Sequence, residues 1–294
     1  MWKRPLRDVV VRCHVGNLRV SGVMTRDVVE DVSRRWGLPL TSDGTKLWGE
    51  YMAGTAMLSS LLKGEERVKM MIKTPNIQEL YVEAMAVGEV RGKVVYVDQS
   101  RAGVPEHGGH MHVSKILYGA AKSYNTSIEA SGVPELDWQR FFDVSEQVPT
   151  IVRMDSESDE DHTRTCGLIV QIMPPTVEHG RHFELNDLAF DKLPFCAAEL
   201  KKNTDLLEYL NELILGANLT DKDCKRVPLD YHCRCSKDNY AQRLKDMGPT
   251  DLKQIAANVG SAGVDLTCHF CNDVHHFSAD ELDGLIESMS EMKK

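Results

Sequence analysis

The sequence predicts an α+β protein: a large mixed α/β core domain, a helical linker, and a small C-terminal domain organised by four cysteines. Three observations carry this reading. Helix-period and strand-period apolar patterns alternate through residues 1–180. A Pro174-Pro175 step then gives way to a helix-period leucine pattern. Finally, the pairs Cys233/Cys235 and Cys268/Cys271 fall in a closing stretch with few apolar residues. The expected boundaries are 1–180 for the core, 181–230 for the linker and 231–294 for the cysteine-bearing domain.

At the start of the chain, Lys3, Arg4, Arg7, Arg12 and Arg19 face a single acid, Asp8. That is the charge pattern of a transit peptide without its serine content, and Val9, Val10, Val11 and Val15 read as a strand entering the fold. Thr25 stands where a helix cap is expected, ahead of Val28, Val29, Val32 and Trp36 at helical spacing, with Gly37 and Pro39 as stops. A second helix is expected from about Lys46 to Lys63, with a stripe of Leu47, Tyr51, Leu58, Leu61 and Leu62. Gly49, Ala53, Gly54 and Ala56 would allow close approach, and Gly64 ends the helix. Strands follow where Val68, Met70 and Ile72 alternate, where Leu80, Val82 and Ala84 alternate, and at 94–97 and 166–173. Residues 101–110, with His107 and His110, and the acidic run 155–161 read as loops.

Beyond the two prolines, Leu206, Leu207, Leu210, Leu213 and Ile214 form an amphipathic stripe closed by Gly216. Its plain reading is a helix packed on a neighbour. Ser236 can cap a helix ending near Gly248, Thr250 begins another, Val264–Thr267 is a short strand, and Ser278 with Glu281 has capping-box spacing for a last helix. So few apolar residues hardly hold a domain without a staple.

The cysteines supply one. Cys-Arg-Cys and Cys-His-Phe-Cys can offer four thiolates to one tetrahedral zinc ion. His275 and His276 could substitute for a ligand, but four thiolates make that unnecessary; His232 and His269 read as electrostatic neighbours. Cys-x-x-Cys is the usual zinc knuckle and Cys-x-Cys is not. Two ligands on one zinc lie roughly 3.8 Å apart, close to bonding distance and already deprotonated. A bridge within Cys-x-Cys would span Cα atoms up to about 7 Å apart, near the upper limit, so it would be easily reduced. Consumption of the thiolates would cost the domain its metal, whose binding free energy of about 10 kcal/mol is also folding free energy. A redox switch and a static zinc module both fit the spacing. Cys13, Cys166, Cys196 and Cys224 stand alone and read as small buried hydrophobes.

Bulk properties exclude other classes. The chain has 294 residues, 42% of them hydrophobic, enough for one large core or two smaller ones. Its net charge is −9 and none of the three segments is basic, so no nucleic-acid footprint exists. No apolar run approaches the ~20 residues of a membrane helix. Nucleotide-binding, nucleophile-elbow and His-Glu-x-x-His motifs are absent, so an enzyme is not expected. A thiol–disulfide oxidoreductase would want Cys-x-x-Cys opening a helix after a strand, and Asn272–Phe277 does not read as a helix.

At these residues the sequence resembles the thirty-three-kilodalton heat-shock protein family. The cysteine pairs look like its zinc ligands. Ser145-Glu146-Gln147-Val148-Pro149-Thr150, the segment Gly167–Pro174 and Gly88-Glu89-Val90-Arg91-Gly92 resemble its other motifs. His275 stands where the family often has Tyr, Pro175 where it often has Gly, and the loop at 155–165 differs in composition. The resemblance implies a redox-regulated, ATP-independent holdase chaperone. One Zn2+ would sit on Cys233, Cys235, Cys268 and Cys271 in the reduced, inactive state. Oxidation would form the disulfides Cys233–Cys235 and Cys268–Cys271, release zinc, unsettle the linker and expose apolar surface, the 206–214 stripe included. The partners implied are unfolded client proteins, a second copy when oxidised, and ATP-dependent chaperones for hand-off. The compartment expected is the cytoplasm, with mitochondrion or plastid as the alternative. A thiol–disulfide oxidoreductase and a static zinc-stabilised interaction module are the competing functions.

Overall fold

A computed structural model describes residues 8–174, 182–193, 195, 197 and 206–291. The chain divides into two compact units, Met1–His232 and Cys233–Lys294. Lys3, Arg4, Arg7, Pro175 and Cys196 lie outside the described residues.

The first unit holds two sheets. One, in the order β10-β1-β2-β9-β8, comprises Cys224–Pro228, Val9–Val15, Leu18–Thr25, Thr163–Ile172 and Thr150–Ser158, all antiparallel. The other, in the order β11-β5-β4-β3-β6-β7, comprises Asp230–Tyr231, Glu89–Tyr96, Ile77–Met85, Arg67–Lys73, Gly109–Ile116 and Tyr124–Ala130. Helix α2 (Asp43–Ser60) packs on strands of both sheets. Fifteen of its residues are buried, so it has no polar face and the expected stripe is really a core helix, buried all round. Its start is Asp43 rather than Lys46, because the Ser42 hydroxyl accepts from the Thr45 amide. Leu61 and Leu62 fall past its end, at the margin of the core. Gly54 allows the close approach: a Cβ there would lie 2.2 Å from Trp138 Nε1.

Helix α1 (Asp27–Arg35) buries Val28, Val29 and Val32 as its spacing requires, but Thr25 does not cap it. Thr25 ends β2, and the carboxylate of Asp8 accepts from the amides of Arg26 and Val28, each at 2.8 Å. Burial pushes Asp8 up to about 6 even against those hydrogen bonds. Strands β3 and β4 appear where alternation places them, and the segments expected at 94–97 and 166–173 belong to β5 and β9, which begin earlier, at Glu89 and Thr163. The two expected loops are partly strand: His110 lies in β6, and residues 155–158 continue β8. Ser156 and Ser158 stand opposite Thr165 and Thr163, and each pair shares a hydroxyl hydrogen bond, which holds the acidic run in the sheet.

Of the family-like motifs, Gly167–Pro174 falls mostly in β9 and Glu89–Gly92 opens β5, while the other positions make corners. Ser145 ends α3 (Pro134–Ser145), Gln147 takes φ +54°, and Thr150 opens β8. The amide of Gln139 clamps this corner: it donates to the Thr150 carbonyl, and its oxygen accepts from the Val152 amide. Gly88 takes φ +96°, and a Cβ there would lie 2.0 Å from the Pro228 carbonyl oxygen.

Helix α4 (Leu206–Leu213) carries the leucine stripe. Leu206, Leu210, Leu213 and Ile214 are buried and Leu207 partly so, against a cluster that includes Val11, Val20, Leu168 and Val170. No described helix is long and apolar enough to cross a membrane.

The second unit contains α5 (Lys237–Asp246), α6 (Pro249–Val259), a hairpin of β12 (Val264–Thr267) and β13 (Val274–Phe277), and α7 (Ala279–Glu291). Ser236 caps α5 by accepting from the Asn239 amide. Ser278 and Glu281 exchange reciprocal bonds at α7. The helix expected from Thr250 begins one residue earlier, with Pro249 in its first turn and Gly248 ahead of it. Its buried apolar side chains, Leu244, Leu252, Phe277 and Leu282, form a small cluster.

Candidate metal centre

Two local structures present the four cysteines. Cys233 and Cys235 lie on an extended segment leading into α5, where Asn239 Nδ2 donates to the Arg234 carbonyl at 2.7 Å and fixes the Cys-Arg-Cys backbone. Cys268 and Cys271 lie in the turn of the β12–β13 hairpin. The Cys268 amide donates to Asp273 O at 2.8 Å and the Asn272 amide to Cys268 O at 3.0 Å. Asn272 takes φ +60°, a conformation that asparagine tolerates better than most residues. The backbone after Cys271 runs into a strand, so the pair does not open a helix as an oxidoreductase motif would.

These four sulfurs converge. Cys233 Sγ lies 3.6 Å from Cys268 Sγ, Cys235 Sγ lies 3.3 Å from Cys271 Sγ, and all four ligand atoms lie within 4.8 Å of one another. A tetrahedral zinc with Zn–S near ~2.3 Å needs sulfurs roughly 3.8 Å apart. The donor set is all sulfur, which suits a thiophilic dication such as zinc. Cys268 and Cys271 are buried, while Cys233 and Cys235 are partly exposed.

Electrostatics also favour a cation. Burial raises Cys268, but the amides of Cys271 and Phe270 and the neighbouring thiols more than offset this and bring it down to about 7. Burial pushes Cys235 up to about 11 and raises Cys271 further. Cys268 ionises readily, while Cys235 and Cys271 resist. A dication at the centre removes that conflict, because it favours the charged form of every ligand.

His276 is drawn away by Asp265, 2.7 Å from its Nδ1. His275 places Nε2 3.5 Å from Cys235 Sγ and packs on Tyr240, with ring centroids 4.9 Å apart. It therefore contacts the quartet from outside. The sequence marks His275 only as a candidate substitute ligand, and no signal in it marks Asn239. Of the solitary cysteines described, Cys13 and Cys166 are buried, and Cys224 is half-buried.

A family model described as Hsp33 protein matches residues 8–278, a span that takes in both units and all four cysteines. The chain belongs to the Hsp33 family. The 33 kDa chaperonin of Syntrophotalea carbinolica is 30% identical, over 96% of this chain and the whole of that protein. The 33 kDa chaperonin of Oceanobacillus iheyensis is 28% identical, over 95% of this chain and 99% of its own. The crystal structure of the 33 kDa chaperonin (heat shock protein 33 homolog) of Thermotoga maritima has the same fold, with a TM-score of 0.78 at 20% identity, covering 97% of this chain and 99% of that one. These Hsp33 relatives support a chaperone function, and chaperonins are in general not enzymes.

Proposed function

We propose that this chain is a redox-regulated, ATP-independent holdase chaperone of the cytoplasm. Residues 1–180 serve as the core, 181–230 as a redox-sensitive linker and 231–294 as the switch. The observation that supports this most is the convergence of four sulfurs in a unit whose fully buried apolar side chains form only a small cluster. Bound to Cys233, Cys235, Cys268 and Cys271, zinc would supply a positive charge that keeps the thiols ionised and a binding free energy of about 10 kcal/mol that doubles as folding free energy.

The protein's own residues perform the switch. Hydrogen peroxide oxidises two cysteine pairs: each pair of thiolates gives up two electrons, and one peroxide takes these up with two protons from solvent and becomes two waters. The pairing proposed is Cys233–Cys235 and Cys268–Cys271. Each disulfide would remove two of the four thiolates that would hold the metal, and the unit would fall back on its own small core. The linker then loosens. Leu206, Leu210, Leu213 and Ile214, together with Val11 and Val20 beneath them, become an apolar surface that suits unfolded clients. The oxidised form works as a homodimer and later yields clients to ATP-dependent chaperones.

Light scattering of a thermally unfolding enzyme tests the reading. Peroxide-treated protein suppresses aggregation without ATP, and reduced zinc-bound protein does not. Equal suppression by both removes the redox gate. Suppression by neither, with zinc demonstrably released, leaves a structural zinc module.

A further inference from the structure

Two of the cysteines outside the metal centre meet. Cys13 lies in β1 and Cys224 opens β10, and the antiparallel register sets them directly opposite each other. Opposed residues in such a pair have Cα atoms about 4.5–5.5 Å apart, within the range a disulfide spans. Each thiol shifts the ionisation of the other, and neither is bridged. Cys13 is buried and Cys224 half-buried. Both border a cavity of about 460 Å³ whose wall also carries Arg19, Lys63, Lys222 and Lys225, with Asp223 as the acid. Cys224 is therefore the partly exposed thiol at this cavity, and Cys13 lies buried behind it.

We propose that Cys13 and Cys224 form a second thiol–disulfide site, oxidised by hydrogen peroxide, that fastens β10 to the core sheet. The Cys224 thiolate attacks one peroxide oxygen. The O–O bond breaks, and the departing hydroxide takes up a proton and leaves as water. Cys224 is then a sulfenic acid. The Cys13 sulfur attacks the sulfenic sulfur, the S–S bond forms, the S–O bond breaks, and the hydroxyl leaves with the Cys13 proton as a second water. The two thiols lose two electrons and the peroxide gains them. Burial raises both thiols, so this pair reacts more slowly than ionised thiolates and records stronger or longer exposure.

The site has a mechanical consequence. β10 lies between α4 and the second unit in the chain and is an edge strand of the five-stranded sheet. A bond from Cys224 to Cys13 keeps this strand on β1 whatever happens to the residues after it. It thereby limits how much of residues 181–230 can leave the sheet. Bond formation itself does not depend on the proposed zinc switch.

The test uses full-length reduced protein treated with hydrogen peroxide without denaturant, alkylated, digested without reduction and analysed by mass spectrometry. A Cys13–Cys224 linked peptide is expected, separated by reductant and absent from Cys224→Ser and Cys224→Ala. Amide exchange across 224–228 in the treated protein is expected to be about tenfold slower than in treated Cys224→Ser. The same linked peptide is expected in a Cys268→Ser background, which separates this site from the metal centre. The proposal is overturned if no such peptide forms once the other cysteines are oxidised, or if exchange across 224–228 is equal in wild type and variant.

Discussion

Leu252→Ala distinguishes a unit stapled by metal from one that folds alone. Leu252 is fully buried in the second unit, in a cluster with Leu244, Phe277 and Leu282. Truncating a buried leucine costs about 2–5 kcal/mol through lost transfer free energy and the cavity left behind. If the unit folds only as it binds metal, the whole of that cost appears as lost affinity. At about 1.4 kcal/mol per tenfold, zinc binding weakens roughly thirty- to three-thousandfold, although Leu252 is not one of the four converging thiols. Competition between the reduced full-length protein and a chromophoric chelator measures this directly. Val274→Ala is the control: Val274 is 57% exposed on the same hairpin as the ligands, and its truncation leaves affinity within a few-fold. If Leu252→Ala lowers the thermal stability of the unit but binds zinc as tightly as the parent, the apo unit is already folded and oxidation has nothing to unfold.

Other expectations follow from single positions. Cys268→Ser, which removes a buried sulfur of the quartet, weakens zinc binding by on the order of a hundredfold or more, and unchanged occupancy under chelator would contradict the four-thiolate site. Glu50 in α2 is pushed by burial to about 7, against a lowering hydrogen bond from Ser156. Its folded value lies above its unfolded one, so its ionisation opposes folding: the cost is absent below the unfolded value of 4.5, grows as pH rises, and is complete above about 7. Glu50→Gln therefore stabilises the protein at pH about 8, by roughly 3 kcal/mol at most, and leaves it unchanged near pH 4; equal Tm shifts at both would refute this. Gly54→Ala drives a Cβ to 2.2 Å from Trp138 Nε1 in the packed core, costing about 1–3 kcal/mol or more. Trp138→Phe in that background recovers part of the loss, and a Gly54→Ala protein of parental Tm would rule out the close approach.

What could be read in the sequence was local. The capping box at Ser278 and Glu281, the Ser236 cap and the alternation of β3 and β4 depend on residues a few positions apart, and each stands as expected. The quartet was legible for a different reason: cysteine spacing advertises ligand chemistry whatever the fold around it. Features set by distant partners were not legible. Asp8 caps a helix from the far side of a hairpin. The burial of α2 on every side follows from two sheets closing over it, which its own mixture of glycine, alanine and leucine does not announce. The acidic run at 155–158 belongs to a strand because Thr163 and Thr165 lie opposite its serines. The pairing of β10 with β1 joins residues some two hundred positions apart, so the meeting of Cys13 and Cys224 is visible only in the fold.

The measurement that tests the central claim most directly follows metal release and thiol loss together in one reduced, zinc-loaded sample during peroxide treatment. A metallochromic dye reports the metal, and timed alkylation with mass spectrometry reports which cysteines are lost. The account predicts that one zinc leaves per chain in step with the loss of Cys233, Cys235, Cys268 and Cys271, before Cys13 and Cys224 react. Zinc that stays bound after those four thiols are consumed, or that leaves while all four remain free, would contradict it.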